Sequence, residues 1–427
     1  MRKFLLLGVA GVLFVVLVLL GVAGLLTLTD PGSPAEDGVP VRGGSLDTNQ
    51  TALWEWTQSA VGRDVEGTPF VTIDDLGGFD ERREQRVRGF ERRLLAAGAS
   101  DDAGRPIAAL AYPSPLSIAL DEAWLPETWN RTTRSRVNAT LVHEFTHLVQ
   151  FRTDAYTETR RILGSEGDRG RTLDALTEGG ASFVEDAYAE ESRRESLASA
   201  WRDPALSPGA RYSLWTYYRG LEYFEARIDD PRALWSIYHD PPRTTATILR
   251  GEAPLEEPPL RHVRTMDLAG YDVADRGRVG AGFVEVLLAA GVGPERTREV
   301  ATGWEWDGLR TVRPMASGPS AADAPGHVWI TEWSSTAAAD GFESGLSAYL
   351  DDHWEASSSR WSLGEGTAAR IERVDGDAVA LVLGPAAVLD DVVVSAEGDG
   401  YAIEPPAVSG SSTTPRIDAG PRAPVVV

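Results

Sequence analysis

An unbroken apolar run opens the chain. Residues 4–26 are all apolar or glycine and follow the charged pair Arg2 and Lys3. As a helix, this run is about 35 Å long, more than the roughly 30 Å hydrocarbon core of a bilayer. Cleavable signals carry only about 7–15 apolar residues, so residues 1–29 are expected to be an uncleaved transmembrane anchor, with a cleaved signal as the alternative. Positive charge ahead of the run places everything after it outside the cell in either case. Residues 30–48 are rich in Pro, Gly and polar side chains and read as a linker.

Periodicity then alternates between strand and helix. Residues 68–73 predict a strand, and 80–97 a helix whose arginines are matched by glutamates. Two strands are expected at 107–112 and 116–120, around Pro113-Ser114-Pro115. From 133 to 152, Val137, Leu141, Phe145 and Leu148 recur at spacings of four and three, which is a helix with one buried stripe. Further helices are expected at 173–190, 214–227 and 231–238. Beyond about 300 the pattern turns to strands at 304–313 and 327–333, a helix at 337–349 and a hairpin around Asp375-Gly376. The expected organisation is α+β, with a large domain over 49–300, a small α+β unit over 301–395 and a weakly ordered tail from 396 to 427.

Composition narrows the setting. Acidic residues outnumber basic ones 64 to 41, for a net charge of −23, and Lys3 is the sole lysine. Such a surface repels itself in dilute buffer and suits strong brine. It also lacks the basic face that nucleic acid requires, so nucleic acid is excluded as a partner. The absence of cysteine removes disulfides, thiolate metal sites and cysteine nucleophiles together. The chain has three asparagines, Asn49, Asn130 and Asn138, and each begins an Asn-x-Thr sequon, as expected of an exported glycoprotein.

The chemistry concentrates in His143-Glu144-Phe145-Thr146-His147. Four residues apart on a helix, two histidines project about 40° from each other, close enough to share one zinc ion, while Glu144 between them can serve as general base. A catalytic zinc needs a third protein ligand. Position 153, where a third histidine would extend the motif, is Thr. Glu178, in Thr177-Glu178-Gly179-Gly180-Ala181, is the candidate, since its small neighbours would let its helix approach the motif helix closely. Glu185 and Asp186 are the alternatives. An oxyanion needs one donor besides the metal. Tyr217 is expected to supply it, with Tyr212, Tyr218, His239 and His262 as rivals. The strand at 116–120, just ahead of the motif helix, is a candidate sheet edge for an extended peptide.

The His-Glu-x-x-His motif followed by a Glu-Gly-x-Ala helix resembles the gluzincin-type zinc metallopeptidases. The segment Leu141 to Gln150 is similar to an uncharacterised family of exported zincin-like proteins that includes surface proteins of haloarchaea. Looser matches are Tyr217 to Gly220, Pro241-Pro242-Arg243-Thr244, Gly303-Trp304 and Val328-Trp329, so that the resemblance covers about 65–350. It implies a zincin-like fold, a Zn2+ cofactor and a surface location. One departure stands out: Arg250-Gly251 occupies the place of an expected His-Pro.

These readings converge on a membrane-anchored, outward-facing zinc peptidase acting on protein or peptide substrates. The alternative, which the missing histidine at 250 favours, is a catalytically silent zincin-fold protein with a binding or envelope-structural role.

Overall fold

A computed structural model of the chain describes residues 38–76, 89–96, 108–189, 192–252, 261–265, 268, 270–315, 324–357, 359–364 and 366–406. The expected anchor at 1–29 lies outside the described residues. Among the described residues no helix is long and apolar enough to cross a membrane. The architecture is mixed α+β.

Four short strands form the first sheet: β1 (Val41–Arg42), β2 (Phe70–Asp74), β3 (Ala109–Pro113) and β4 (Leu116–Asp121), in the order β1-β2-β4-β3. The first three in that order run parallel, and β3 lies antiparallel on the outside of β4. Two of these placements correct the sequence reading. Val41 and Arg42, expected in a linker, extend the sheet. The strand expected to be the edge, β4, is hydrogen-bonded on both sides and buried along its whole length, so the edges are β1 and β3, with β3 the neighbour of β4.

The helices of this half are, in chain order, α1 (Gln50–Val61), α2 (Gly89–Ala96), α3 (Arg131–Phe151), α4 (Asp154–Leu163), α5 (Gly167–Tyr188), α6 (Arg193–Arg202), α7 (Pro208–Arg227), α8 (Leu234–His239) and α9 (Thr245–Arg250), and α3 packs on the sheet. The motif helix is α3. Its N-terminus is closed by a capping box between Asn130 and Thr133. Its stripe Val137, Leu141, Phe145 and Leu148 is fully buried, with Trp54 of α1 against Phe145 at 5.4 Å.

The second motif-bearing helix, α5, runs against α3 and α7. Its paired glycines face different partners. A Cβ at Gly179 would lie 2.3 Å from the carbonyl carbon of Gly220 on α7, and one at Gly180 would meet Tyr238 Oη at 2.9 Å and Gln150 Nε2 at 3.0 Å. The close approach expected toward the motif helix is made by Gly179 toward α7 instead, while Gly180 faces the side chains of Gln150 on α3 and Tyr238 on α8.

The C-terminal half is built on a seven-stranded antiparallel sheet. Its strands are β6 (Tyr271–Asp275), β7 (Trp304–Pro314), β8 (Gly326–Trp333), β9 (Glu355–Ser357), β10 (Arg360–Gly364), β11 (Thr367–Arg373) and β12 (Ala378–Pro385), in the order β6-β7-β8-β12-β11-β10-β9. Alternate side chains of its central strands enter two different cores, as the pleat requires. Trp329, Trp333, Val379, Leu381 and Leu383 join the core shared with the helical half, which α10 (Ala281–Val292) and α12 (Thr336–His353) complete. Val328, Ile330, Ala380 and Val382 pack on the other face against α13 (Ala386–Asp391) and a small sheet of β5 (Val263–Thr265), β13 (Val393–Glu397) and β14 (Gly400–Glu404).

The boundary expected at 300 falls inside α11 (Pro294–Thr302), and the seven-stranded sheet takes β6 from before it. The weakly ordered tail expected from 396 is corrected over 396–406, where Gly400–Glu404 is the middle strand of its sheet and Ile403 is fully buried; the rest of it, 407–427, lies outside the described residues. One polar junction ties the halves together. Asp307 Oδ2 on β7 accepts from the Val279 and Gly280 amides at 2.9 and 3.1 Å and from Trp329 Nε1 at 2.7 Å. Beside it, Asp168 of α5 accepts from the Thr245 amide at 3.0 Å. Gly280, with φ +92°, is required there, since a Cβ would overlap Asp168 Oδ1 at 1.9 Å.

Candidate metal centre

On α3, His143 and His147 are one turn apart and both buried, with rings nearly perpendicular and their Nε2 atoms 3.1 Å apart. From α5, Glu178 Oε2 lies 3.3 Å from His143 Nε2 and 3.3 Å from His147 Nε2. Two nitrogens and one oxygen thus form a triangle with edges of 3.1, 3.3 and 3.3 Å. Tetrahedral zinc with bonds of about 2.0–2.1 Å has ligand–ligand edges of roughly 3.3–3.4 Å, so this donor set fits the ion in size as well as in chemistry. One ligand atom each from His143, Glu144 and His147 lies within 4.8 Å of the other two, placing the Glu144 carboxylate beside the same point.

Charge accumulates here. Three carboxylates, Glu144, Glu178 and Glu185, surround two imidazoles. Burial works to lower the His143 pKa, but hydrogen bonds with Glu178 and Glu185 outweigh it and push the imidazole up to about 10. Burial would raise Glu178, yet the two histidines hold it well below the ordinary carboxylate range. Glu144 is pushed up by burial, with the histidines opposing. A divalent cation at the triangle would offset the same negative excess.

The remaining sequence candidates separate clearly. Glu185 meets the other side of the ring, with Oε2 3.0 Å from His143 Nδ1, and is ion-paired to Arg193 at 3.4 Å. Asp186 accepts from the Arg193 amide. The Tyr217 ring stacks on His143 at 5.9 Å and 20°. Of its rivals, Tyr212 lies under the Arg171 guanidinium and Tyr218 under that of Arg219, while His239 and His262 are exposed. Arg250 is spent elsewhere: its guanidinium donates to the carbonyls of Thr302 and Trp304 at 2.8 and 2.9 Å, at the junction of α11 and β7.

Sequence reasoning missed Gln150, whose Oε1 lies 2.8 Å from His147 Nδ1. Its position three residues past the second histidine, at the end of a buried stripe, was the available signal. Of the three sequons, Asn49 and Asn130 are exposed helix caps, whereas Asn138 Nδ2 donates to Tyr188 Oη at 3.2 Å and its Oδ1 is buried without a partner.

The edge strand β3 packs against α3. The Asp121 amide donates to the Ala108 carbonyl, and the antiparallel register pairs Leu110 with Ala119 and Tyr112 with Ser117. By the alternation of antiparallel ladders, the backbone groups of Ala109 and Ala111 and the Pro113 carbonyl point away from β4. The Pro113 carbonyl accepts from Arg152 at 2.7 Å on that outer side.

A family described as "Domain of unknown function (DUF8575)" matches residues 268–393, the stretch that carries the seven-stranded sheet and α10 to α13. His143, Glu144, His147 and Glu178 all precede it. No curated protein and no solved structure matches the chain.

Proposed function

We propose that the chain is a zinc-dependent peptidase with a zincin-like fold, acting on protein or peptide substrates at the outer cell surface. The observation that carries this reading is the triangle of His143 Nε2, His147 Nε2 and Glu178 Oε2, with edges of 3.1–3.3 Å and Glu144 alongside. Those three residues would hold Zn2+, which when bound supplies Lewis-acid polarisation and a fourth position open to water.

The protein's own groups then divide the work. Glu144 takes a proton from the attacking water and delivers it to the leaving amine; its raised affinity for protons suits both steps. Tyr217, stacked on His143, would donate to the developing oxyanion. Glu185 holds the outer face of His143. An extended peptide adds to β3 through the outward groups of Ala109 and Ala111, which sets its backbone alongside the motif helix.

A silent binding protein would not need a buried carboxylate at 144; the histidine missing at position 250 favours that alternative, and Arg250 in its place serves the α11–β7 junction. The outward location rests on the apolar N-terminal run and on the exposed sequons at Asn49 and Asn130. The test is zinc stoichiometry together with turnover of a casein-type substrate in high salt. One zinc per chain with hydrolysis supports the reading. A folded chain that takes up no zinc overturns it.

A further inference from the structure

The hydrogen bonds behind His147 have only one consistent arrangement. The Leu176 and Thr177 carbonyls on α5 can only accept. Tyr238 has one O–H, which it donates to the Leu176 carbonyl at 2.8 Å. Its oxygen therefore accepts from Gln150 Nε2, 2.8 Å away, and the second N–H of that amide goes to the Thr177 carbonyl at 3.0 Å. A flipped amide would set its oxygen 3.0 Å from the Thr177 carbonyl oxygen, two acceptors facing each other with no hydrogen between them in a fully buried place. The amide oxygen must then face His147 Nδ1, at 2.8 Å, and only an N–H on Nδ1 completes that bond. An imidazole protonated at Nδ1 keeps its lone pair at Nε2, the atom that points at the triangle.

We propose that Gln150, clamped by Tyr238 and the Leu176–Thr177 backbone, is the positioning residue that fixes the ring orientation and tautomer of His147 for metal binding. This rests on the zinc reading above. It gives Gly180 a purpose separate from that of Gly179. A methyl group at 180 would press on Tyr238 Oη at 2.9 Å and Gln150 Nε2 at 3.0 Å, the two side-chain ends that make up the clamp. It also ties the motif helix to the turn of α5 that carries Glu178, so both ligand-bearing elements share one hydrogen-bond chain.

The experiment compares the full chain with Gln150→Leu, Gln150→Glu and Gly180→Ala. Zinc affinity is read by competition with a chromogenic chelator. Co2+-loaded protein is examined by NMR for the hyperfine-shifted, slowly exchanging Nδ1–H of each histidine. Circular dichroism and melting report the fold. Gln150→Leu is expected to weaken zinc binding about 10–100-fold, as loss of an outer-shell partner does, and to lose the slow exchange of one N–H signal. Gln150→Glu keeps an oxygen for Nδ1–H but sets its second oxygen against the Thr177 carbonyl, so it is expected to recover only part of the affinity. Folded Gln150→Leu with parental affinity and both N–H signals unchanged overturns the proposal. If Gln150→Leu does not fold, Gly180→Ala decides: weaker zinc binding in a folded chain supports the clamp, and parental affinity overturns it. A parent that binds neither metal overturns the zinc reading itself, a separate outcome.

Discussion

Gly179 and Gly220 meet backbone to backbone where α5 crosses α7. A Cβ on the first would sit 2.3 Å from the Gly220 carbonyl carbon, and one on the second 2.2 Å from the Ala175 carbonyl oxygen. Neither obstacle can rotate away, because both are main chain. The crossing sets Tyr217, one turn before Gly220, against His143 and holds Glu178, the neighbour of Gly179, over both histidines.

Gly220→Ala is therefore expected to push the helices apart. Overpacking against backbone costs about 1–3 kcal/mol, so the melting temperature should fall by several degrees. Zinc affinity should fall with it, because the crossing positions a ligand. A variant that melts like the parent would show that the helices have slack here.

Asp307 gives stability a pH dependence. Burial, with Asp168 nearby, pushes its carboxyl up to about 7, although Trp329 and two amides hold it down in part. In the unfolded chain the same group titrates near about 3.9. Between those values the folded state binds more protons, so the contribution is full below about pH 4 and is lost as pH rises through about 7. Asp307→Asn keeps an acceptor for the amides and stays neutral. Denaturation across pH 4–8 should show a shallower fall in stability for the variant than for the parent. Identical slopes would contradict the assignment.

Arg250→Ala removes three guanidinium hydrogen bonds, two to the Thr302 carbonyl and one to that of Trp304. The expected loss is about 1–3 kcal/mol of stability. Zinc stoichiometry should not change. Loss of zinc without loss of stability would return position 250 to the site.

Ala111→Pro tests the substrate edge. Its N–H points away from β4, so proline there leaves the ladder intact and removes only an outward donor. KM for extended peptides should rise while zinc affinity holds. An unchanged KM would place the peptide elsewhere.

The sequence reveals local features well and long-range ones poorly. The α3 stripe, the motif on it and the helix bearing Glu178 follow from spacing, because helical periodicity is local. The choice of β3 over β4 as edge depends on strand order, which no window of residues encodes. Helix α10 gives no amphipathic signal, since Ala281 to Ala289 are buried on every side. Gln150 looks like an ordinary polar helix residue until Tyr238, distant in sequence, is folded against it. Glu185 and Glu178 are two turns apart on one face of α5, and only the histidine rings distinguish them. Glu178 reaches both Nε2 atoms and Glu185 one Nδ1.

The most direct measurement compares zinc content and peptide hydrolysis in the parent and in Glu144→Gln, side by side in high salt. The substitution keeps the size of the side chain and leaves His143, His147 and Glu178 in place. The parent should carry one zinc and hydrolyse the substrate. The variant should carry the same zinc and lose activity by about 10²–10⁴-fold, the usual worth of a positioned general base. Equal rates from the two proteins, or a folded parent with no zinc, would contradict the assignment of this site as a zinc peptidase centre.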